Sequence, residues 1–444
     1  MTKDSYLSYR NILNIAYPIM LGSLGQNIIN LIDTGFLGRV GQVELGAGAL
    51  AGIFYFVMFM VGYAFNNGMQ IIISRRMGEG RKSEVGNIVD HEFYLLFLIA
   101  VVEFVFLFFI SPLVLSQFIH SKEILNATVI FLTYRSFGIF FGLFNSCLQQ
   151  FFIGIGKTSI INFSTVVLAI TNIVLAYLLI FGHYGFPKMG IGGAALASTI
   201  AEGVVMLVYI IVLYQRKFPK QYNLFRFLKP DLKLIGNMVS LSLPLVFQQV
   251  ISIFTWFIFF LLIEHRGETS LAVSNIIKSL YIFWAIPTFA FASTANAMTS
   301  NIIGQGKSDK VFYLLKKVVG INFSISVIMC LALVLFPTAI IGIYTDDVNL
   351  IKSSMEILPV IIVASLLFSV ALIIILTVTG TGSSRFALFM ELVSISIYLI
   401  YAFLTAKVYM SSLKVVWAAE ILYWLSAIVL GMLFLKFGKW KKVI

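Results

Sequence analysis

The sequence predicts an all-α membrane protein with twelve transmembrane helices, arranged as two pseudo-symmetric six-helix bundles around a central cleft. Three observations predict this fold. Hydrophobic residues make up 60% of the 444 residues and charged residues only 11%, less than half the charged share of a typical soluble domain. Apolar runs of about 20 residues, the length that crosses a bilayer as a helix, recur along the chain. The two halves of the chain also repeat one another at a fixed offset.

The first six apolar runs are bounded by charged residues, glycines or prolines, and each is long enough to span a bilayer as a helix. The first run is too long for the hydrophobic region of a signal peptide, so we expect it to be a membrane span. The six runs cover residues 12–38, 46–73, 91–115, 128–152, 160–182 and 192–214.

The second six runs follow a segment rich in Lys and Arg, which carries Pro219 and Pro230 and is typical of a linker between domains. These runs cover residues 235–263, 270–300, 312–337, 354–378, 386–406 and 414–435. We therefore predict an N-terminal six-helix bundle over residues 1–217 and a C-terminal six-helix bundle over residues 218–444.

The basic residues predict the orientation of the chain. An even number of spans places both termini on one side of the membrane. If that side is the cytoplasm, the inner segments hold 22 Lys and Arg residues and the outer segments hold 7. This excess is typical of cytoplasmic loops, so we predict a protein of the plasma (inner) membrane with both termini in the cytoplasm. Because the basic residues are scattered between apolar runs, the net charge of +12 does not predict a nucleic-acid partner.

The internal repeat has an offset of 226 residues without a gap. Pro18 aligns with Pro244, Gly41 aligns with Gly267, and the loop GEGRKSEV aligns with GQGKSDKV. Two six-span halves that cross in the same direction are related by an axis along the membrane normal. When one bundle rocks against the other, a site in the cleft opens to each side in turn, so we predict a transporter of small molecules that acts as a monomer. A duplicated bundle that serves as a scaffold or channel is the alternative.

The sequence does not predict an enzyme, a cofactor or a metal site. We find no nucleophile, metal-ligand set or carboxylate pair that would converge on a reacting group. The glycine-rich loops GEG and GQG lack the Lys-Ser/Thr ending of a phosphate loop, which disfavours an ATP-driven pump. Cys147 and Cys330 lie in apolar runs and have no metal-ligand spacing.

Several motifs resemble those of one transporter family, multidrug and toxic compound extrusion (MATE). They are PIMLGSLGQNIINLIDTGFLGRVG with ELGAGALA, SRRMGEGRKSE, NIVLAYLLIFG with MGIGGAALAST, and GQGKSDK, and their order covers nearly the whole chain. The resemblance implies an antiporter for multidrug efflux or xenobiotic export, which moves organic, often cationic and amphiphilic, compounds in exchange for protons or sodium ions by alternating access. A flippase for a lipid-linked glycan is the alternative, because Arg135 and Lys278 could hold its phosphate.

Asp33 is the leading candidate for ion coupling. Gln26, Asn30 and Asp33 are spaced i, i+4, i+7, which places them on one face of a helix. An ionisable residue within a transmembrane helix is costly and tends to face a bundle interior or a water-filled cavity. The family resemblance points to the same Asp. The alternative is that Asp33, five residues before Gly38, is an ordinary solvated acid near the outer interface.

Asn172 and Ser198 are predicted to join Asp33 in the cation-coupling site, because the family resemblance implies polar residues at these positions. Neutral oxygens beside one carboxylate could help to hold a sodium ion or could bond to a protonated acid. Some family members carry Asp or Asn four residues after Asn172, whereas this chain has Ala176. This difference favours a proton over sodium. Interhelical hydrogen bonding without a role in coupling is the alternative for both residues.

Five polar residues are candidates for the substrate cleft: Gln26, Asn30, Glu202, Gln248 and Gln249. The region around the last two is polar but not titratable, so coupling is assigned to the first half.

Other charged residues within the spans leave alternatives open. Arg135 could pair with Glu103 or with Glu202, and the roles of Glu391 and Glu420 stay open.

Overall fold

The structure is a computed structural model that describes residues 5–441. All of the regular secondary structure in this range is helical. Within it, twelve helices are long and apolar enough to cross a membrane, and we label them α1 to α12. This confirms the predicted fold class of twelve helical spans.

The bounds of the twelve helices follow the order of the predicted runs. The first six are α1 (Tyr9–Val40), α2 (Gln42–Gly78), α3 (Lys82–Leu115), α4 (Lys122–Gly154), α5 (Ser159–Phe181) and α6 (Ile191–Gln215). The last six are α7 (Leu232–Glu264), α8 (Glu268–Gly304), α9 (Ser308–Leu335), α10 (Val348–Gly380), α11 (Ser384–Val408) and α12 (Leu413–Phe437). Two short helices lie between spans, Phe218–Tyr222 and Pro337–Ile341.

Most helices are longer than the apolar runs that predicted them. α2 continues past residue 73 through Arg75 and Arg76 to Gly78, and α3 includes polar residues well before residue 91. Hydropathy marks the part of a helix that matches the hydrocarbon core, whereas the hydrogen-bond ladder continues into polar sequence until a glycine or a cap ends it. The positive φ of Gly80 supplies such an end after α2.

The chain forms two compact units. Among the described residues, one comprises residues 17–246, and the other comprises residues 247–441 together with residues 5–16. The division falls within α1 and within α7, two residues before Pro18 and two residues after Pro244. The predicted bundles 1–217 and 218–444 follow the sequence repeat, which this division does not test, so they stay a prediction.

The same five helix pairs make the most extensive contacts in each unit. In the unit of residues 17–246, α2 packs against α3 and α4, α4 packs against α3 and α6, and α5 packs against α6. In the other unit, α8 packs against α9 and α10, α10 packs against α9 and α12, and α11 packs against α12. Adding six to each label of the first set gives the second set, as an internal duplication requires.

The segment between α6 and α7 is fixed to the start of α3 by hydrogen bonds that we call the linker clasp. The Asp90 carboxylate accepts the backbone N–H groups of Phe225 (2.8 Å), Arg226 (2.8 Å) and Phe227 (3.0 Å). Phe225 and Phe227 have φ of 61° and 44°, a left-handed conformation that bulky residues rarely adopt. Successive N–H groups in such a segment form an anion-binding concavity, which the carboxylate fills.

His91 extends the linker clasp to the start of α7. The backbone N–H of Asp231 donates to His91 Nε2 at 2.8 Å, so Nδ1 carries the hydrogen and donates to the Asn87 carbonyl at 2.7 Å. Asp231 in turn accepts the backbone N–H groups of Lys233 and Leu234 and caps α7. The start of α7 is therefore held by α3.

Candidate functional site

Asp33 lies on α1 within the unit of residues 17–246 and faces side chains of α4 and α5. Its Oδ1 atom is buried and has no hydrogen-bond partner among the described residues. Arg135 acts on the carboxyl group through its charge, and the side chain of Asn172 lies within hydrogen-bonding reach of it. Asp33 is therefore a partly buried acid beside a permanent cation.

Asn172 and Ser198 link α5 to α6 next to Asp33. The Asn172 amide donates to Ser198 Oγ at 2.9 Å, and Ser198 Oγ donates to the Ala194 carbonyl at 3.2 Å. Asn172 is 2% exposed, and its Oδ1 atom is buried without a partner among the described residues. Ala176, one turn further along α5, is fully buried and offers no ligand. The structure thus brings the three predicted coupling residues into one region, and their role in coupling stays a prediction.

Arg135 pairs with Glu202, which decides between the two partners left open by the sequence. Nη1 donates to Glu202 Oε2 at 2.8 Å, and Nη2 donates to Oε1 at 2.6 Å. The pair is largely buried, with side-chain exposures of 11% and 18%. Such a bidentate pair fixes the orientation of both groups. Glu202, predicted to lie in the substrate cleft, has both carboxylate oxygens occupied by this guanidinium.

Small residues of α4 leave room for the ion pair. A Cβ atom at Gly138 would overlap the Arg135 guanidinium, and a Cβ at Gly142 would lie 3.6 Å from Glu202 Oε2. The Asn145 amide donates to the Glu202 backbone carbonyl at 2.8 Å and thereby ties α4 to α6. The pair is therefore built into the packing of the two helices.

Tyr55 lies against the same ion pair, although no sequence pattern indicates a role for it. The Arg135 guanidinium carbon lies 4.1 Å from the centre of the Tyr55 ring. Glu103 and Glu202 both act electrostatically on the Tyr55 phenol. Tyr55 is 8% exposed and lies in an apolar stretch of α2, where an aromatic residue is most simply interpreted as core packing. Only the fold brings it next to a cation.

Gln26 and Asn30, predicted for the substrate cleft, are exposed on α1. Gln26 Nε2 donates to Asn30 Oδ1 at 3.4 Å, a long bond between neighbouring turns. On the same helix, Asn27 and Thr34 donate to backbone carbonyls four residues earlier. The face of α1 that carries Gln26 and Asn30 therefore exposes amide groups that can form further hydrogen bonds.

Gln248 and Gln249 lie in the other unit, where both are half-buried. Gln248 Nε2 donates to Glu391 at 3.3 Å, and the same carboxylate accepts Ser252 Oγ at 2.6 Å and the Tyr423 hydroxyl at 2.7 Å. α11 thus supplies an acid beside the polar middle of α7, which the sequence pattern of α7 alone did not reveal.

Glu420 and Lys278 also lie in this second unit. Trp424 Nε1 donates to Glu420 at 3.0 Å, and Glu420 is 2% exposed. The Lys278 ammonium lies 5.0 Å from the centre of the Phe260 ring, within the range of a cation–π contact.

The repeat offset places aromatic residues of the second unit at the positions of the coupling site in the first. Two of these rings, Phe259 and Tyr398, lie 5.3 Å apart between centroids. The carboxyl group of Asp33 and the amide of Asn172 in the first half therefore correspond to aromatic rings that pack together in the second half. The corresponding pairs are Asp33 with Phe259, Tyr55 with Tyr281, and Asn172 with Tyr398.

In the described part of the chain, no three His, Cys, Asp or Glu side chains lie close enough together to hold a metal ion.

A family model described as MatE matches the chain twice, over residues 18–178 and 244–404. The two matches begin and end 226 residues apart, which is the offset of the internal repeat. Each match begins within the first helix of one half, at Pro18 or Pro244, and ends within the fifth.

Curated relatives align with most of the chain. The chain is 28% identical over 344 residues to a protein of Rhizobium meliloti named probable multidrug resistance protein NorM, an alignment that covers 76% of this chain and 72% of that protein. It is 21% identical over 386 residues to the probable multidrug resistance protein YoeA of Bacillus subtilis, covering 84% and 82% of the two chains.

Solved structures share the fold over nearly the full chain. One is described as an outward-facing conformation of a multidrug resistance MATE family transporter of the MOP superfamily, with a TM-score of 0.87, 17% identity and coverage of 97% and 96%. A MOP superfamily transporter from Pyrococcus furiosus, described as having a binding pocket of reverse polarity, has a TM-score of 0.88, 18% identity and full coverage of both chains. At these identities the likeness is one of fold.

Proposed function

Since the chain belongs to the MatE family of multidrug and toxic compound extrusion transporters, we propose that it exports organic compounds, often cationic and amphiphilic, in exchange for protons. The chain is a membrane transporter and not an enzyme. Its relatives are named multidrug resistance proteins, which supports efflux of small molecules as the activity. Alternating access through the cleft between the two bundles is the proposed mechanism.

The observation that carries this proposal is the buried, unpartnered Oδ1 atom of Asp33 beside the guanidinium of Arg135. Binding and release of a proton at this carboxyl changes the net charge of the cluster. In a region sheltered from water, such a change is energetically large and favours one conformation over another. Protonation of Asp33 and the opening of one side of the cleft thereby become linked.

The same cluster disfavours sodium as the coupling ion. A hard cation requires several oxygen ligands, and one carboxylate with the neutral side chains of Asn172 and Ser198 is a sparse set. Ala176 supplies no further oxygen. A proton needs none of these ligands.

The flippase alternative is less well supported. It required Arg135 and Lys278 as cations that could hold the phosphate of a lipid-linked glycan. Arg135 is engaged by both carboxylate oxygens of Glu202, which neutralises its charge. An anionic headgroup would have to displace that carboxylate.

The remaining parts of the proposal concern placement and partners. The transporter lies in the plasma (inner) membrane with both termini in the cytoplasm, as the excess of basic residues on that side predicts. It acts as a monomer, because one chain already contains both bundles. Gln26, Asn30, Gln248 and Gln249 offer amide groups to an organic substrate in the cleft.

Transport by purified protein in liposomes tests the proposal. Efflux of a fluorescent organic cation is measured under a proton gradient and, separately, under a sodium gradient. We expect the proton gradient alone to drive efflux, and we expect Asp33→Asn to reduce it to the rate of protein-free liposomes, because an amide cannot carry the proton.

Asp309→Asn, the same change at an exposed position, is the matched control and should leave efflux unchanged. Efflux that follows sodium instead, or that is unaffected in the Asp33 variant, would contradict proton coupling at this site.

A further inference from the structure

His91 on α3 holds the start of α7 through a hydrogen bond in which its imidazole is the acceptor. The backbone N–H of Asp231 donates to Nε2 at 2.8 Å, and Nδ1 donates to the Asn87 carbonyl at 2.7 Å. His91 is 1% exposed, so bulk water has little access to either contact. Because one ring nitrogen meets an N–H donor and the other meets a carbonyl acceptor, only a neutral imidazole satisfies both. We call this contact the His91 latch.

The equivalent position in the second half of the chain holds the start of α1. The repeat offset of 226 residues aligns Lys317 of α9 with His91 of α3. Lys317 Nζ donates to the backbone carbonyl of Leu7 at 2.9 Å, and it lies 4.7 Å and 4.4 Å from the ring centres of Tyr9 and Tyr313. We call this contact the Lys317 latch, and all of its residues belong to one compact unit.

The two latches share a position in the fold but differ in chemistry. In each half, the third helix binds the first helix of the other half where that helix begins. Asp231 is the cap of α7, and Leu7 directly precedes Ser8, the cap of α1. The imidazole of His91 is an acceptor that a proton can remove, whereas the ammonium of Lys317 is a donor throughout.

Acid therefore acts on the two latches differently. Imidazole takes up a proton in mildly acidic solution, whereas a lysine ammonium is already charged there. An imidazolium carries a hydrogen on both nitrogens, so Nε2 of a protonated His91 faces the N–H of Asp231 donor to donor. We propose that His91 is a pH-sensing residue, whose latch is closed while the imidazole is neutral and releases the start of α7 when the inner side of the membrane becomes acidic. The Lys317 latch stays closed over the same range.

No carboxylate of the described residues forms an ion pair with His91: among them, His265 is the only histidine in such a pair. The Asp90 carboxylate accepts three backbone N–H groups of the linker, and the Asp231 carboxylate accepts two in the first turn of α7. Glu92, which follows His91 on α3, is fully buried and acts on a thiol of α4. A proton on His91 therefore adds a buried charge without a carboxylate partner.

The other charged or titratable groups around the His91 latch also offer no counter-charge. The ring of Tyr94 packs edge-on against the imidazole, with 5.7 Å between the ring centres. At the inner end of α2, the Arg76 guanidinium is paired with Glu79 at 2.6 Å. The exposed charged side chains that the linker adds on either side of Asp231 are cations, Arg226, Lys229 and Lys233. Opening of the latch admits water to the imidazolium and thereby lowers the cost of its charge.

The position of the His91 latch gives it a role in the proposed function, and this part of the inference rests on that function. The proposed exchange delivers protons to the cytoplasm, and the predicted topology places the starts of α3 and α7 on that side. Protons that accumulate there then act back on α7 through His91.

Hydrogen exchange of the full chain in detergent tests the inference without substrate or a gradient, so the result does not depend on proton-coupled export. Protection of residues 229–234 and of residues 6–11 is compared at about pH 8 and about pH 5, after correction for the intrinsic pH dependence of exchange. In the wild type, we expect protection of residues 229–234 to fall about tenfold at the lower pH, the effect of one lost hydrogen bond. Residues 6–11, at the Lys317 latch, should keep their protection and provide the control within the same molecule.

Two substitutions separate the titration of His91 from other effects of acid. Glutamine has an acceptor and a donor but does not titrate, so His91→Gln should show the same protection of residues 229–234 at both pH values. Lysine, the residue at the equivalent position, has no acceptor, so His91→Lys should lack this protection at both. If His91→Lys does not fold, the other two proteins still decide the question. A tenfold loss at low pH in His91→Gln, or wild-type protection that does not change with pH, would overturn the proposal.

Discussion

Arg135 is the residue that gives the cluster its particular chemistry. Its guanidinium binds Glu202 through two hydrogen bonds, lies over Tyr55 and acts on Asp33, and it therefore connects side chains of four helices. A buried ion pair contributes little net stability, but removal of one partner leaves an uncompensated charge in a region of low dielectric constant. The pair should therefore be more sensitive to single than to double substitution.

Substitution of this pair gives a testable prediction. Glu202→Gln and Arg135→Met should each destabilise the protein by roughly 3 kcal/mol, because each leaves one buried charge unpaired. The double variant should lose less than the sum of the two. Thermal unfolding in detergent, followed by tryptophan fluorescence, measures the effect. Losses that simply add would show that the two side chains do not interact energetically.

Most of the cluster could be predicted from residue type, but its connections could not. Asp33, Asn172 and Glu202 stand out because polar side chains are rare within apolar runs. The choice between Glu103 and Glu202 as the partner of Arg135 depends on how α3, α4 and α6 are rotated about their axes. Tyr55 lacks a distinguishing pattern, because an aromatic residue in a transmembrane helix is ordinary.

At the scale of elements, α1 and α7 are the helices that the two compact units share. Each contains a proline close to the point where the helix passes from one unit to the other. Proline lacks the N–H that would bond to the carbonyl four residues earlier, which locally weakens a helix. The linker clasp holds the segment before α7, so the first turns of α7 are fixed while the proline permits bending beyond them.

Asp90 provides the test of the linker clasp. Asp90→Asn removes the negative charge and one of the two acceptor oxygens from three N–H groups, at a cost of about 2 kcal/mol. We expect hydrogen exchange to become faster at Phe225, Arg226 and Phe227 and to stay unchanged in α9. Asp309→Asn, at an exposed position in the first turn of α9, should leave the exchange of the three linker amides as it is. Equal protection in the Asp90 variant would mean that the carboxylate does not hold the linker.

The existence and order of the helices followed from hydropathy, whereas the clasp did not. His91 begins the predicted run 91–115 and Asp90 directly precedes it, and their partners lie 135 to 140 residues later in the chain. No periodicity relates such distant residues. Backbone donors in a loop also leave no trace in the sequence, apart from the prolines and basic residues that marked this segment as a linker.

At the scale of the whole molecule, the two halves share a framework and differ in chemistry. The family model matches each half over an equal length, and the same five helix pairs make the most extensive contacts in each unit. The glycines and prolines that recur at the 226-residue offset belong to this framework. Asp33 and Asn172 belong to the first copy, whereas the second copy has Phe259 and Tyr398 at the corresponding positions.

The predicted orientation of the molecule can be tested by labelling introduced cysteines in intact cells. Both native cysteines are buried, so background labelling should be low. A cysteine at Ser116 or Asp346, in predicted outer loops, should react with a membrane-impermeant maleimide. A cysteine at Ser83 or Asp309, in predicted inner loops, should react only after the membrane is opened. All four positions are exposed, so the reverse pattern would overturn the predicted topology.

The linker clasp has a consequence for the order in which the protein is made. Every group of the clasp, from Asp90 to the cap of α7, is present once the ribosome has passed the start of α7. The first bundle and its connecting segment can therefore fold during membrane insertion, while the remaining spans are still being synthesised. The helices that are synthesised later then pack next to a first bundle whose connection to α7 is already held by hydrogen bonds. This lowers the chance that equivalent helices of the two copies exchange places during membrane insertion.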